Sequence, residues 1–423
     1  MKVYIETYGC TLNKGDSLSM ETLLEDAGIQ VTQDEEEADV TILNTCVVRL
    51  ETEERMKQRI SELSRKTKKL VVAGCMVGSQ PATVSLLAPG ASLVGPQAIN
   101  RVVEAVISRE KKAFLRPEKP ITMPRKIDGK IAIIPIQDGC ASSCSFCITK
   151  LSRTLLRSYP LRAIKEAVQE AVRRGAVEIE LTGQDTATYG LDQRGEVTLV
   201  DVVNEVLEVE GDYMIRIGMM NPEHLPRILD GLIEVLKSKR VYKFLHLPVQ
   251  SGDNGVLKVM NRRYTVEEYS EMIKEIRLRI PSVNITTDII VGHPGEDEEA
   301  FRNTLRLMEE LRFERVHLAM YSIRPNTESA RMRQVPDEVK KSRMRRANFL
   351  YESISSEIHS EYLGSICTVL TTEFGRKGSI VGRTPNYIPV VVDGANDLGK
   401  WVNVRINGFT FYDLRGAFIS PVS

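Results

Sequence analysis

Short apolar runs alternate with amphipathic segments over the first 110 residues, which is the pattern of a parallel sheet covered by helices. The predicted elements are strands over 3–8, 38–45 and 69–75 and helices over 17–27 and 49–64. Cys10, Cys46 and Cys75 each lie at the carboxyl end of one of these strands. A single buried cysteine is ordinarily just an apolar side chain. Because the carboxyl ends of parallel strands share one edge of a sheet, we nevertheless expect these three to meet there.

The same alternation of strand and helix resumes at residue 131 and continues to residue 335, with about six repeats. The predicted strands are 131–136, 177–183, 213–218, 242–247, 283–292 and 315–322, and the predicted helices are 161–173, 199–209, 222–237, 266–279 and 297–311. Such a series predicts a full or partial α/β barrel, in which the active site lies at the carboxyl ends of the strands.

The last part of the chain changes pattern twice. A long charged helix is predicted over 336–363, and short β-rich runs separated by glycines follow from residue 366. These runs predict a small antiparallel β-barrel. The expected fold is therefore α/β multidomain, with an N-terminal open parallel sheet, a central partial (β/α)6-type barrel and this small barrel. The expected segments are a first domain over 1–112, a proline-rich charged linker over 113–130, a core over 131–358 and a last domain over 360–423.

Composition limits the classes of function. The chain has 423 residues, of which 42% are apolar and 27% charged, and its formal net charge is zero. Any binding of nucleic acid must therefore rest on local basic patches. The sequence shows no signal peptide and no run of about 18 apolar residues, so we expect a cytoplasmic protein without a membrane segment. Seven cysteines in such a chain are expected to serve metal binding or catalysis rather than disulfides.

Cys140, Cys144 and Cys147 form a C-x3-C-x2-C group directly after a predicted strand. Three thiolates on one short loop hold three irons of a cubane cluster and leave the fourth iron open, as a catalytic metal site requires. S-adenosylmethionine can chelate that iron through its amino and carboxylate groups, and reduction of its sulfonium by one electron then gives a carbon radical. The alternatives are a zinc knuckle or a structural cluster. A zinc site would need a fourth cysteine or histidine nearby, and the next histidine is His224.

Several motifs resemble those of one enzyme family. The C-x3-C-x-aromatic-C group is similar to the signature of the radical S-adenosylmethionine superfamily, and almost the whole chain resembles its methylthiotransferase family. The stretches that carry this resemblance are YGCTLNKGDS (8–17), LNTCVVR (43–49), VAGCM (72–76), GCASSCSFCITK (139–150), LTGQDTATYG (181–190), HLPVQSGDNGVLKVMNRRYT (246–265), TDIIVGHPGE (287–296) and YSIRPNTESA (321–330). That family combines an N-terminal three-cysteine domain, a radical core and a C-terminal TRAM domain.

By this resemblance, Cys10, Cys46 and Cys75 hold a second 4Fe–4S cluster, so that six cysteines are metal ligands. The resemblance also implies two molecules of S-adenosylmethionine. One is the methyl donor, and the other is the source of the 5′-deoxyadenosyl radical that permits sulfur insertion at a C–H bond. The opening motif is most similar to the archaeal and eukaryotic branch, which acts on N6-threonylcarbamoyladenosine at position 37 of tRNA.

The partners that the resemblance implies are the anticodon stem–loop of a tRNA, an electron donor and a sulfur donor. Two other interpretations stay open from the sequence. One is a methylthiotransferase that acts on isopentenyladenosine in tRNA or on an aspartate of a ribosomal protein. The other is a non-catalytic iron–sulfur protein that binds RNA, which the cleavage of S-adenosylmethionine would exclude.

Polar residues at the ends of predicted barrel strands are the candidates for contacts with S-adenosylmethionine. They are Gln184, Asp185, His246, Gln250, Asp288 and Tyr321. The superfamily resemblance places Gln184 and Asp185 near the amino group of the cofactor, and a plain strand-to-loop turn is the alternative. Asp288 interrupts an apolar run, so its charge needs a partner or a function. His246 is equally compatible with a hydrogen-bonded histidine of the core.

Basic and aromatic residues provide the expected RNA interface. The basic residues expected near the mouth of the site are Lys150, Arg153, Arg157, Arg162 and those of 340–346, although such runs are usually solvated helix faces. The aromatic residues of the last domain, which can stack on bases, are Phe374, Tyr387, Trp401, Phe409, Phe411 and Tyr412. Arg324 and Asn326 are expected to face the substrate. Asp16 is expected to cap a helix, and Cys367 is expected to be structural.

Overall fold

The structure, a computed structural model, describes residues 1–118, 122–375 and 378–422. Its N-terminal part is a parallel sheet covered by helices. The strands are β1 (Lys2–Thr7), β2 (Gln30–Thr32), β3 (Val40–Thr45), β4 (Leu70–Gly74), β5 (Ser92–Val94) and β6 (Ala113–Phe114), and the helices are α1 (Thr11–Asp26), α2 (Leu50–Lys66), α3 (Cys75–Ser79), α4 (Pro81–Leu87) and α5 (Val102–Ile107). The strand order is β2-β1-β3-β4-β5-β6. Strands β3 and β4 are buried along their whole length, as parallel strands covered on both faces are expected to be.

Two sequence predictions for this domain are corrected. Helix α1 begins at Thr11 instead of Ser17, because its first turns pack on the barrel. Gly15, which weakens the helical pattern, permits that packing: a Cβ there would lie 2.9 Å from Cγ of Pro135. The predicted linker starts too early, since β6 pairs with β5 and extends the sheet. A strand of two residues is too short to produce a periodic pattern, and residues 119–121 of the linker lie outside the described residues.

The central part of the chain builds a partial barrel. Its strands are β7 (Ile131–Pro135), β8 (Gln137–Asp138), β9 (Arg157–Ser158), β10 (Glu178–Thr182), β11 (Met214–Ile217), β12 (Phe244–His246), β13 (Asn284–Val291) and β14 (Arg315–Met320). Strands β11-β10-β7 form one parallel sheet and β12-β13-β14 another. The N–H of Tyr242 donates to the carbonyl of Ile215 at 3.0 Å and joins the two sheets. The six long strands thus follow one another around the barrel in chain order, which confirms the predicted partial barrel.

The helices around the barrel match the sequence pattern closely. They are α6 (Thr149–Ser152), α7 (Leu161–Arg173), α8 (Leu199–Leu207), α9 (Leu229–Leu236), α10 (Asn254–Val259), α11 (Val266–Arg279), α12 (Glu298–Leu311) and α13 (Asp337–Ser360). Helix α11 starts at a capping box formed by Thr265 and Glu268. The helix predicted over 222–237 is interrupted, because Pro226 has no N–H to donate and α9 begins only after it. No described helix is long and apolar enough to cross a membrane.

The C-terminal part is a closed five-stranded barrel. Its strands are β15 (Ile366–Phe374), β16 (Ile380–Arg383), β17 (Pro389–Asp393), β18 (Trp401–Phe409) and β19 (Leu414–Pro421). They close in the order β15-β16-β17-β19-β18, and every pair is antiparallel except β17–β19. The small barrel docks on the partial barrel. The hydroxyl of Tyr387 donates to Oε1 of Glu178 at 2.7 Å, and the hydroxyl of Ser355 donates to the carbonyl of Phe411 at 2.7 Å.

Candidate active site

A cavity of about 490 Å³ lies between the edge of the N-terminal sheet and the carboxyl ends of the barrel strands. Six of the seven cysteines line this cavity, which we call the cysteine cavity. They are Cys10, Cys46, Cys75, Cys140, Cys144 and Cys147. The structure therefore brings the three separated cysteines of the N-terminal domain to one edge of their sheet, facing the loop after β7 that carries the other three.

Glycines allow the N-terminal cysteine loops to approach one another closely. Gly9 precedes Cys10 and has a φ of +118°, and a Cβ there would lie 2.9 Å from Cβ of Cys46. Gly74 precedes Cys75 and has a φ of +90°, and a Cβ there would overlap the side chain of Asn44. Both positions need a backbone that other residues adopt only with strain. The two glycines are thus part of the cysteine site.

Two buried asparagines hold the same loops together. Nδ2 of Asn13 donates to the carbonyl oxygens of Tyr8 at 2.5 Å and of Thr45 at 3.3 Å, joining the first two cysteine loops. Nδ2 of Asn44 donates to the carbonyl of Asn13 at 2.8 Å and to Oγ of Ser17 at 2.8 Å. The loops are therefore fixed by hydrogen bonds that do not involve the thiols.

Burial disfavours the thiolate form of these cysteines. It raises the pKa of Cys75 to about 12, although the nearby Arg153 guanidinium acts in the opposite direction. It also raises the pKa of Cys46. In the loop after β7, burial and the Asp185 carboxyl raise the pKa of Cys140 to about 12. A coordinating metal deprotonates a thiol outright, so such a group of buried cysteines suits a cationic metal centre.

The spacing of the thiols does not suit a single zinc ion. Zinc–sulfur bonds of about 2.3 Å place tetrahedral thiolates roughly 4 Å apart. Within residues 1–118, 122–375 and 378–422, the one group of three possible metal ligands with all atoms within 4.8 Å of one another is His246, Asp288 and His317. Neither set of three cysteines meets that limit. Three sulfurs that are not gathered as tightly as the ligands of one ion are compatible with the larger iron–sulfur cluster that the family resemblance implies.

The loop after β7 is held by hydrogen bonds from residues that were not predicted from the sequence to belong to the site. Nη1 of Arg262 donates to Oδ1 of Asn221 at 2.7 Å, and Nδ2 of Asn221 donates to Oγ of Ser142 at 2.7 Å. The charge of Arg262 also opposes the effect of burial, which raises the pKa of Cys144. Asn221 precedes a proline after a barrel strand, which is a turn signal, but nothing in its sequence indicates these partners.

Five of the six polar candidates line the cysteine cavity, namely Gln184, Asp185, His246, Gln250 and Asp288. The exception is Tyr321, which lines a neighbouring cavity of about 550 Å³ that shares Phe146 with the first. Oε1 of Gln184 accepts the N–H of Gly139 at 2.7 Å and so fixes the start of the cysteine loop. Burial raises the pKa of Asp185 to about 7. Oδ2 of Asp185 and Oε1 of Gln250 have no hydrogen-bond partner among the described residues.

Asp288 is held between two histidines on neighbouring strands. Its Oδ1 lies 2.7 Å from Nε2 of His246 and 2.9 Å from Nδ1 of His317, which is directly opposite Asp288 in the β13–β14 register. Burial favours the neutral carboxyl, but the two histidines keep the pKa of Asp288 well below its usual range. His317 was not among the residues predicted from the sequence. Its only signal is alternation along β14, which turns Arg315, His317 and Ala319 to the same face.

Arg153, expected in a basic surface, and Arg324, expected to face the substrate, are both buried ion-pair partners. The side chain of Arg153 is only 1% exposed, and its Nη1 donates to Oδ1 of Asp138 at 2.8 Å while Nη2 donates to Asp16. The expectation that Asp16 caps a helix is also wrong, because α1 starts earlier and places Asp16 in its second turn. Arg324 is buried as well, and its Nη1 donates to Oε2 of Glu53 in α2 at 2.6 Å. Both pairs join the N-terminal domain to the barrel.

Part of the basic surface expected over 340–346 is buried instead. Lys340 and Arg343 are buried, and Nη1 of Arg343 donates to Oε1 of Glu296 at 2.9 Å. A basic side chain can be buried when a carboxylate next to it compensates its charge. The exposed basic residues of this stretch are Lys341, Arg345 and Arg346.

Family models divide the chain as the structure does. Residues 2–95 match the Uncharacterized protein family UPF0004, residues 134–308 match the Radical SAM superfamily and residues 360–419 match the TRAM domain. A radical S-adenosylmethionine methyltransferase from Kitasatospora setae shares the fold, with a TM-score of 0.55, 15% identity and coverage of 78% of this chain and 75% of that one. The cysteine cavity thus belongs to a radical S-adenosylmethionine enzyme, whose superfamily uses S-adenosylmethionine and a 4Fe–4S cluster.

Relatives that align with nearly the whole chain show which family of radical S-adenosylmethionine enzymes it belongs to. The chain is 40% identical to a probable threonylcarbamoyladenosine tRNA methylthiotransferase from Methanothermobacter thermautotrophicus, over 97% of this chain and 98% of the relative. It is 35% identical to a tRNA-2-methylthio-N(6)-dimethylallyladenosine synthase from Thermosipho africanus, over 100% of both. The chain belongs to the radical S-adenosylmethionine methylthiotransferase family. This confirms the resemblance found in the sequence, and the archaeal threonylcarbamoyladenosine tRNA methylthiotransferases, at 37–40% identity, are more similar to the chain than the dimethylallyladenosine synthase is.

Proposed function

We propose that this enzyme converts N6-threonylcarbamoyladenosine at position 37 of tRNA into its 2-methylthio derivative. The observation that carries the proposal is the cysteine cavity, in which two sets of three cysteines face each other across one space. The names of its relatives and the TRAM domain support tRNA as the substrate. One S-adenosylmethionine serves as methyl donor and a second as the source of the 5′-deoxyadenosyl radical.

The residues present fit two iron–sulfur clusters. Cys140, Cys144 and Cys147 would hold the cluster that supplies the electron for cleavage of S-adenosylmethionine. By the family resemblance, the cysteines of the N-terminal domain would hold a second cluster, which supplies the sulfur. An external electron donor and a sulfur donor complete the reaction. Glycine turns and asparagine hydrogen bonds hold the N-terminal loops without using the thiols, so the sulfurs remain available as ligands.

Unpaired polar atoms in the same cavity suit S-adenosylmethionine. Oδ2 of Asp185, Oε1 of Gln250 and Nε of Arg262 are buried without a hydrogen-bond partner among the described residues. A ligand with amino, carboxylate and hydroxyl groups would satisfy such atoms, which otherwise cost about 1–3 kcal/mol each. We therefore assign Gln184, Asp185, Gln250 and the His246–Asp288 pair to cofactor binding. Tyr321 lines the neighbouring cavity, so we leave it outside this set.

The RNA must deliver one nucleotide into this cavity, since the target carbon of a stacked base is not accessible. Exposed aromatic residues on the small barrel provide stacking surfaces for the rest of the loop. Phe374 is 71% exposed and Tyr412 is 57% exposed, whereas Tyr387 and Trp401 pack against the partial barrel. Only some of the aromatic residues considered from the sequence are therefore available to RNA.

Nucleoside mass spectrometry of tRNA tests the proposed reaction. The gene is expressed in a host whose tRNA carries threonylcarbamoyladenosine and isopentenyladenosine without methylthio groups. We expect the methylthio derivative of the first nucleoside to form with the wild-type enzyme and not with Cys140→Ala. If only isopentenyladenosine gains the group, the enzyme is a methylthiotransferase of the other specificity. If neither nucleoside changes although S-adenosylmethionine is cleaved, tRNA is not the substrate.

A further inference from the structure

A small recess lies inside the partial barrel, between the cysteine cavity and the C-terminal barrel. Its volume is about 80 Å³, and we call it the barrel recess. Its polar wall consists of Arg216, Asn284, Thr286 and Arg315, with His246 and His317 beside them. Arg216, His246 and His317 also line the cysteine cavity, so the two spaces adjoin. Tyr387 and Tyr412 of the C-terminal barrel form its far side.

Four polar atoms of this wall are buried without a hydrogen-bond partner among the described residues. They are Nε of Arg216, Oδ1 of Asn284, Oγ1 of Thr286 and Nη2 of Arg315. An unpaired buried polar group destabilises the folded state, and native proteins leave few of them. Two donors and two acceptors, one of them a hydroxyl, in so small a volume therefore point to a polar ligand.

The acidic groups around the recess are already paired. Oε2 of Glu314 accepts the N–H of Ile285 at 2.8 Å and lies 3.2 Å from Nη2 of Arg277. Oδ1 of Asp288 lies within hydrogen-bond distance of both His246 and His317. Neither Arg216 nor Arg315, by contrast, donates a hydrogen bond to a carboxylate among the described residues.

Arg216 is the better placed of the two recess arginines. Its nearest carboxylate oxygen, Oε1 of Glu180, is 3.5 Å away, and no described residue accepts a hydrogen bond from it. Its guanidinium carbon lies 5.2 Å from the ring centroids of both Phe244 and Tyr387, which hold the planar group in one orientation. An oriented guanidinium with free donors is suited to a carboxylate, which it binds through two parallel hydrogen bonds.

We propose that the barrel recess binds the carboxylate and hydroxyl of the threonyl group on N6 of the substrate adenine, with Arg216 as the principal carboxylate partner. This inference rests on the proposed function, and it explains how the enzyme would distinguish threonylcarbamoyladenosine from dimethylallyladenosine. The carboxylate satisfies Arg216 and Arg315, and the hydroxyl satisfies Asn284 and Thr286. A dimethylallyl group has no polar atoms, so its entry would leave all four groups unpaired, which a site built for hydrogen bonding rejects strongly.

The test compares two synthetic anticodon stem–loops. One carries threonylcarbamoyladenosine, and in the other the threonyl carboxylate is replaced by a neutral carboxamide. The ratio of kcat/KM for the acid to that for the amide is measured within each enzyme, so a partial loss of folded protein cancels. We expect a ratio of about 10 to 100 for the wild type, because a charge-assisted pair is lost with the amide. Arg216→Gln is expected to reduce the ratio to near one, and Arg216→Lys to an intermediate value.

Arg173→Gln is the matched control, since the Arg173 side chain is 73% exposed at the end of α7 and does not line the recess; it should keep the wild-type ratio. A wild-type ratio near one, or a ratio unchanged in Arg216→Gln, overturns the assignment and leaves the recess a water-filled space. Failure of the proposed function looks different: the wild-type enzyme then forms no methylthiolated product from either RNA, and the recess assignment falls with it.

Discussion

Arg153 of the barrel domain forms a buried ion pair with Asp16 of the N-terminal helix α1. The same guanidinium donates to Asp138 at 2.8 Å, two residues before Cys140, and it lies close enough to Cys75 to oppose the rise of its pKa. Burial raises the pKa of Asp16 to about 6 even in the presence of this partner. One side chain thus fixes the position of one set of cysteines relative to the other.

Replacement of Arg153 by Gln should destabilise the protein strongly. The change leaves two buried carboxyl groups without their cation, which typically costs about 3–5 kcal/mol. Urea unfolding measures the loss. Arg162→Gln, which removes an exposed arginine, should stay within about 0.5 kcal/mol of the wild type. A value for Arg153→Gln in the range of this control would show that the buried pair contributes nothing to the contact between the domains.

The second ion pair between the domains gives an independent prediction. Glu53→Gln leaves Arg324 buried beside a neutral amide and is expected to lower the free energy of unfolding by about 3 kcal/mol. Glu54→Gln on the same helix is the control, because the Glu54 side chain is 55% exposed and its ion pair with Lys57 contributes little. Equal stabilities of the two variants would contradict a structural role for the Glu53–Arg324 pair.

Glu296 should make stability depend on pH. Burial raises its pKa to about 7, against the opposing effects of the Gly292 N–H and of Arg343, from an ordinary value of 4.5. The folded state therefore binds the proton more tightly than the unfolded chain. The stability that protonation provides is complete below about pH 4.5 and is lost as the pH rises through about 7.

Glu296→Gln removes this dependence because glutamine does not ionise. Relative to the wild type, the free energy of unfolding of the variant should rise by about 3 kcal/mol between pH 4.5 and pH 8. Denaturant unfolding at a series of pH values measures it. Glu299→Gln removes an exposed carboxylate from the same segment and serves as the control. Parallel curves for wild type and Glu296→Gln would contradict the raised pKa.

The sequence predicts the strands of the partial barrel well because each combines an apolar run with a helix that follows at regular spacing. It also predicts that Cys10, Cys46 and Cys75 share one sheet edge, since the direction of parallel strands determines that edge. It fails for Arg153 and Arg324. Their partners in the N-terminal domain are more than a hundred residues away, and a charge run alone does not distinguish a solvated side chain from a buried one.

His317 and Arg216 escape sequence analysis for a related reason. Arg216 is the one polar residue of β11, and His317 shares the otherwise apolar strand β14 with Arg315. Such residues are compatible with an edge position, a satisfied core contact or a functional site. Only the register of β13 with β14 places His317 opposite Asp288, and only the closure of the barrel turns Arg216 toward the recess. Short strands such as β6 are missed because they contain too few residues for a pattern.

The central claim is that the two sets of cysteines hold separate clusters with separate tasks. Iron content and product formation after anaerobic reconstitution test it directly in Cys46→Ala, with Cys367→Ala as the control for loss of a cysteine outside the cavity. We predict about eight irons per chain in the wild type and the control, and about four in Cys46→Ala. That variant should still release 5′-deoxyadenosine and form no methylthiolated RNA. About four irons in the wild type, or methylthiolated RNA from Cys46→Ala, would contradict the account.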